Sequence, residues 1–366
     1  MKDKKKIRIL SLDGGGIRGI IPATVVKYAE QYLQKKAPGT TIANHFDFIT
    51  GTSIGGILAA LYLMPDEKQP QKAKFSASEA LDLFVEEGYD IFNKSKIPEF
   101  RRLWGLLNGT AFSPKHLEQL LEIKFGNTYM HELLKPCLIP TYDINSRSAF
   151  FFNSTDDRRK RKFLLKDVLR STSAAPTYFP SAFIRNKANI ADAEEREMRN
   201  IDGGVFANSP ALCAYAEARN HHFKDRNIKE PRAEDMYMLS IGTGGGQFSL
   251  KRTKISGRWS LLKWAQYIPD IMMDGGVDTT TYQMDAIFKS VREEGQINYK
   301  RIDVPTSARD YDSDMSNADP ENIQKLLSAG DHTVTAAIAN GLNVFLDGLL
   351  DEELYSLTST VNLQKS

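Results

Sequence analysis

Apolar residues near the N-terminus come in short, dense runs separated by glycines. Ile7 to Asp13 is β-rich, Gly14 to Gly19 form a glycine turn, and Ile20 to Lys36 place Val25, Val26, Ala29 and Leu33 at helical spacing. Phe46 to Thr50 then reads as a second buried strand, and Ile54 to Met64 as a nearly all-apolar helix that begins at glycines. Two such units within about 65 residues predict βαβ architecture and a mainly parallel sheet, with sites at the carboxyl ends of strands. Both glycine turns fall there.

The alternation continues down the chain. Helical patterns cover Ala77 to Phe92 and Pro114 to Lys124, and strand patterns cover Cys137 to Tyr142, Ala149 to Asn153, Met236 to Gly242 and Ile297 to Val304. Glu321 to Leu350 reads as helix with a glycine interruption. Trp259 to Met273 carries Leu261, Leu262, Trp264, Tyr267, Ile268 and Ile271 at largely helical spacing, shortened by Pro269 and flanked by Lys251, Arg252, Lys254, Arg258 and Lys263. Such a stripe is ordinarily core, and its rival reading is a lipid-facing surface or a cap on an acyl channel. Pro65 to Lys74, Asp156 to Lys162, Arg185 to Arg199 and Thr306 to Pro320 are polar and predict loops. None marks a domain boundary. One domain over residues 1–366 is expected, its core at about 7–350, with helical additions around 75–125 and 255–290.

Composition narrows the class without deciding it. Of 366 residues, 41% are hydrophobic and 26% charged, the usage of an ordinary folded protein. A formal net charge of +2 gives no argument for a nucleic-acid polymer as partner. Cys137 and Cys213 have no C-x-x-C spacing, which fits a reducing, cytoplasmic setting. No apolar run approaches the roughly 20 residues of a membrane-spanning helix, so contact with a membrane or micelle is expected to be peripheral.

Three glycine turns carry candidate chemistry. In Gly51-Thr52-Ser53-Ile54-Gly55-Gly56, a serine stands between strand and helix with Gly51 and Gly55 two positions either side, the context that exposes a nucleophilic Oγ. The plain alternative is a serine that caps the following helix. Asp13-Gly14-Gly15-Gly16-Ile17-Arg18-Gly19 presents successive backbone N–H groups at a helix start, suited to an oxyanion. Gly14, Gly16 and Gly19 also satisfy the dinucleotide fingerprint, but no acidic residue for a ribose appears in Pro38 to Ala43, and Asp13 would set a carboxylate beside the pyrophosphate. A nucleophilic serine needs a base, and Asp202 in Asn200-Ile201-Asp202-Gly203-Gly204 is left free by its glycine pair. Taken alone, that motif is an ordinary Asp-Gly turn.

Other signals weigh less. Of six histidines only His332 falls late enough for a serine triad, and it lies in a helical pattern. Asp310, Asp312, Asp314 and Glu321 mimic a calcium loop, but Met315 replaces the required glycine and Pro320 precedes the glutamate. Arg158 to Lys162 reads as a solvated basic loop beside Asp156 and Asp157. No metal and no cofactor is therefore expected.

The three turns in this order, with Ala174-Ala175-Pro176-Thr177-Tyr178-Phe179-Pro180, Asn208-Ser209-Pro210 and Leu239-Ser240-Ile241-Gly242-Thr243-Gly244, resemble the patatin-like phospholipase family, patatin type, over roughly residues 7 to 350. The resemblance implies a three-layer α/β/α fold and a lipid acyl hydrolase acting on phospholipid or another acyl lipid. It implies a Ser-Asp dyad of Ser53 and Asp202, with Gly14, Gly15 and Gly16 holding the oxyanion. Arg18 would steady that loop or meet a lipid phosphate. Two departures are Ile54, where many relatives have a smaller residue, and Ser209 in place of a second asparagine. Some bacterial members are switched on by cyclic nucleotides, which leaves a small nucleotide activator as an open partner. An aspartate is a poor base near neutrality unless burial raises its pKa, so a water-poor pocket is expected.

Overall fold

The computed structural model describes residues 6–91, 112–190, 192–245, 261–291 and 297–350. Lys251, Arg252, Lys254, Arg258 and Trp259 lie outside the described residues. The sheet is built from β1 (Ile7–Leu12), β2 (Phe48–Gly51), β3 (Cys137–Asp143), β4 (Ser148–Asn153), β5 (Ala182–Arg185), β6 (Glu197–Asp202), β7 (Met236–Ile241) and β8 (Tyr299–Ile302). Its eight strands run in the order β8-β7-β1-β2-β3-β6-β5, with β4 on β3. From β8 to β3 every neighbouring pair is parallel, and β4, β5 and β6 add antiparallel pairs at one side.

Side chains of the central strands alternate between two cores, as the pleat requires. Leu10 and Leu12 of β1 face one core with Ile49, Ile139, Leu239 and Ile241. That side is covered by α1 (Ile20–Gln34), α2 (Ile54–Leu63), α3 (Ala77–Ile91), α4 (Lys115–Phe125) and α5 (Leu165–Thr172). Ile7 and Ile9 face the other core with Phe48, Leu138, Met236 and Met238. It is covered by α6 (Ala211–Asn220) and by Met284 and Phe288 of α7 (Leu261–Ser290). The result is the expected three-layer α/β/α arrangement. The C-terminal helix is in fact two, α8 (Pro320–Ala339) and α9 (Leu342–Asp347), broken at Gly341 with φ 83°. Both return to the first core.

Two expectations fail. The polar stretch Arg185 to Arg199 is not all loop: β5 ends at Arg185, a short helix spans Ala193–Arg196, and β6 starts at Glu197. Glu197 and Arg199 point outward while Met198 and Asn200 are buried, so a period of two is hidden under charged residues. Nor does Pro269 shorten its helix, since α7 runs 30 residues through it. Farther along the same helix, Met284 and Phe288 are buried in the second core.

Leu10 is fully buried in the middle of this sheet. Leu10→Ala is expected to lower unfolding free energy by about 2–5 kcal/mol in a urea titration; a loss under about 1 kcal/mol would be inconsistent with this core.

Candidate active site

The carboxyl ends of β1, β2 and β6 bring the three glycine turns to one place. At the end of β2 the chain reverses into α2 within a few residues, so Gly51 lies against the Gly55 backbone and Gly55 against the carbonyls of Leu12 and Asp13. A Cβ at either position would collide with main chain that has nowhere to move. Ser53 sits at the apex with φ 54° and ψ −123°, a strained conformation for a residue with a side chain. Its hydroxyl makes no capping bond to α2, so the helix-cap reading has no support.

The elbow is tied on every side. Thr52 N–H donates to Leu12 O at 3.2 Å, and Thr52 Oγ1 donates to Ala207 O at 2.6 Å. Ser53 N–H donates to Thr172 Oγ1 at 3.0 Å, while Thr172 donates onward to Pro140 O at 2.7 Å. Gly55 and Gly56 N–H turn back to the carbonyls of Thr52 and Ser53. Of the first donors of α2, only Ile54 N–H has no partner among the described residues. Sequence reasoning missed this group, although the amide after an elbow serine is a known oxyanion donor.

Asp202, the last residue of β6, is buried; its carboxyl accepts from Gly204 N–H at 2.6 Å and has the Ser53 hydroxyl beside it. Burial raises its pKa from 3.8 to about 7, against a smaller downward pull from those two donors. Its own N–H donates to Ala174 O at 3.0 Å, so the segment Thr172 to Ala174 bridges nucleophile and carboxylate. His332, by contrast, is exposed on α8.

The loop after β1 departs from expectation at one residue. Gly14 N–H is already spent on Asn208 O at 3.0 Å, and Gly14 O accepts from Thr243 Oγ1 at 2.7 Å. That clamp holds the loop to its neighbours and removes Gly14 from the set of oxyanion donors. Gly15 and Gly16 N–H have no partner among the described residues, and Gly16 takes φ 56°, which only glycine adopts freely. Arg18 is buried and its Nε donates to Gly15 O at 3.4 Å, the geometry of loop support. Ile17 N–H donates to Met315 O at 2.9 Å. The acidic stretch around Met315 therefore braces the glycine loop. Asp312 and Asp314 accept N–H and hydroxyl donors of their own turn, and Glu321 pairs with Lys325 at 2.9 Å.

Asp13 completes the support. Its carboxylate is paired with Arg301 at 2.6 Å, and Arg301 also reaches Ser240 at 2.9 Å and Asp303 at 2.8 Å. Arg301 lies 288 residues away in sequence, and no local pattern marks it as the partner of the glycine loop.

Comparisons with known proteins point to one family. A family model described as Patatin-like phospholipase matches residues 10–215. Patatin-like protein 2 of Arabidopsis thaliana is 33% identical, covering 96% of this chain and 88% of its own length. Patatin-like protein 1 of Arabidopsis thaliana is 32% identical over 90% of this chain and 81% of its own. Patatin group D-2 of Solanum tuberosum is 29% identical over 92% and 86% respectively.

Removing one member of a buried ion pair leaves the other charge without compensation. Arg301→Met is expected to cost about 3–5 kcal/mol in urea unfolding, and Asp13→Asn added to it to recover much of that loss. An Arg301→Met protein as stable as the parent would rule out the anchoring role.

Proposed function

The chain belongs to the patatin-like phospholipase family, so its reaction is hydrolysis of lipid acyl esters, and we propose that Ser53 and Asp202 carry that reaction out. The substrates in this reading are glycerophospholipids or galactolipids, cleaved through an acyl-enzyme within one catalytic domain. The observation that carries it is the meeting of a strained, non-capping serine hydroxyl with a buried carboxyl whose pKa stands near neutrality.

In this mechanism Ser53 Oγ attacks the ester carbonyl carbon while Asp202 accepts its proton. The carbonyl oxygen takes the negative charge and is held by N–H groups of Gly15 and Gly16, joined by Ile54 N–H at the start of α2. Arg18 keeps Gly15 in place from behind. Collapse of the tetrahedral intermediate expels the alcohol, which takes its proton from Asp202 and leaves Ser53 acylated. Water then attacks the acyl-enzyme, Asp202 accepts a proton again, and the fatty acid departs as Ser53 is restored. A carboxylate with an ordinary pKa near 4 holds its proton too weakly to share it with an alcohol; one near 7 is matched to the task.

Ser53→Ala and Asp202→Asn are each expected to lower kcat on short-chain aryl esters by about 10²-fold or more, and His332→Ala to leave it near normal. A fluorophosphonate should label Ser53, in the peptide that carries Gly51 to Gly56, and no other residue. A folded Asp202→Asn protein that still turns over, beside a dead His332→Ala, would overturn the dyad.

The raised pKa of Asp202 also sets two pH dependences with opposite sign. Activity requires the unprotonated base, so kcat/KM should climb as pH rises through about 7 and level off above it. Stability runs the other way. The folded state holds this proton more tightly than the unfolded chain, so the contribution is full below about pH 4 and is lost as pH rises through about 7. Asp202→Asn, which escapes that loss, should melt at a higher temperature than the parent at pH 8, with the gap shrinking at pH 5. An unchanged gap would show that Asp202 titrates elsewhere.

A further inference from the structure

Helix α7 packs beside the turn that follows Asp202, at the mouth of the site. Met273 Sδ comes within 3.7 Å of the position a Cβ would take on Gly204, the residue whose N–H binds Asp202. One residue on, Asp274 Oδ1 stands 3.2 Å from the corresponding point on Gly245, which is itself 3.7 Å from Arg18 Nη2. The packed side of the helix continues through Met284 and Phe288 into the second core.

The opposite side changes character along its length. Near the mouth its exposed positions include Ile268 at 43%, Ile271 at 44% and Met272 at 61%, followed by exposed Gly275. Past that point the exposed positions are mainly polar, Asp278, Thr279, Gln283, Asp285 and Lys289, with Tyr282 exposed among them at 76%. Ile268, Ile271 and Met272 follow i, i+3, i+4 spacing and form one ridge. Phe206, two residues after Gly204 and in contact with Tyr142 and Phe151, is also more than a third exposed. Among the described residues, the exposed aliphatic and thioether side chains of this helix thus lie where it borders the dyad.

We propose that this ridge docks the protein on a phospholipid surface, with Ile268, Ile271 and Met272 entering the acyl boundary of the bilayer so that the mouth faces its substrate. The inference rests on the lipid-hydrolase reading of the site and assigns it a docking face. A lipid surface is the favoured occupant, because the ridge borders a site that must receive a lipid ester and its three exposed side chains are apolar. Substrate can then move from bilayer to Ser53 without its chains crossing water.

The test separates docking from turnover. Full-length protein is sedimented with vesicles of dialkyl ether phosphatidylcholine, which has no ester to cleave, and is assayed in parallel on a soluble short-chain aryl ester. The double variant Ile271→Asp, Met272→Asp should bind these vesicles about tenfold more weakly or worse, while its aryl-ester kcat/KM stays within about twofold of the parent. Thr279→Asp with Gln283→Asp, farther along the same helix, should leave vesicle binding unchanged. Undiminished binding by the first variant, or a parent protein that does not bind the vesicles, overturns the docking face even if ester hydrolysis is intact. So does a double variant that converts a dimer to a monomer without losing vesicle binding, which would make the ridge a contact between copies. Failure of the parent on every ester would instead strike the catalytic reading, a distinct result.

Discussion

Everything at the site depends on how closely two pieces of main chain approach. The first turn of α2 is pressed onto the end of β1, with Gly55 against the carbonyls of Leu12 and Asp13 and Gly51 against Gly55 itself. Because no side chain intervenes, the apex residue between them is forced into a backbone conformation that only a tightly held turn can sustain. The hydrogen bonds from Thr52 to Leu12 and Ala207, and from Ser53 to Thr172, supply that hold. They also fix the elbow to the strand that carries the glycine loop and to the turn that follows Asp202. The geometry of the elbow and of Asp202 is therefore a property of the sheet, since each stands at the end of a strand.

The first half of that sheet is plain in the sequence because strands buried on both faces read as unbroken apolar runs. β1, β2 and β7 are such strands, and their boundaries fall within a residue or two of the pattern. β6 escaped because one side of it meets solvent, where Glu197 and Arg199 make it look like loop. The length of α7 escaped for a related reason. A proline is a strong local signal, and what overrides it is contact with a core assembled from residues far away in sequence.

The site divides in the same way. Ser53, Asp202 and the glycine loop are legible because each needs a short local motif of fixed shape. The supports are not. Thr172, Asn208, Thr243 and Arg301 act through contacts that span from 119 to 288 residues, and nothing in their neighbours announces them. Gly14 shows the limit of motif reasoning most clearly. Three consecutive glycines suggest three donors, yet the same loop must be anchored, and the bond to Asn208 uses one of them. Asp202 shows a tension of another kind, because the burial that suits it to proton transfer is burial of a charge, which the fold would do better without.

The span between Asp13 and Arg301 bears on how the protein is made. Synthesis delivers the N-terminus first, and β1, the glycine loop and the Ser53 elbow all emerge long before β8. Contacts of such wide separation close late, after the loop entropy between their ends has been overcome. Until Arg301 arrives, Asp13 has no cation to hold it beneath the loop. A ribosome-bound chain thus carries the Ser53 elbow before the glycine loop beside it is anchored, and that anchoring waits until the last strand of the sheet is in place.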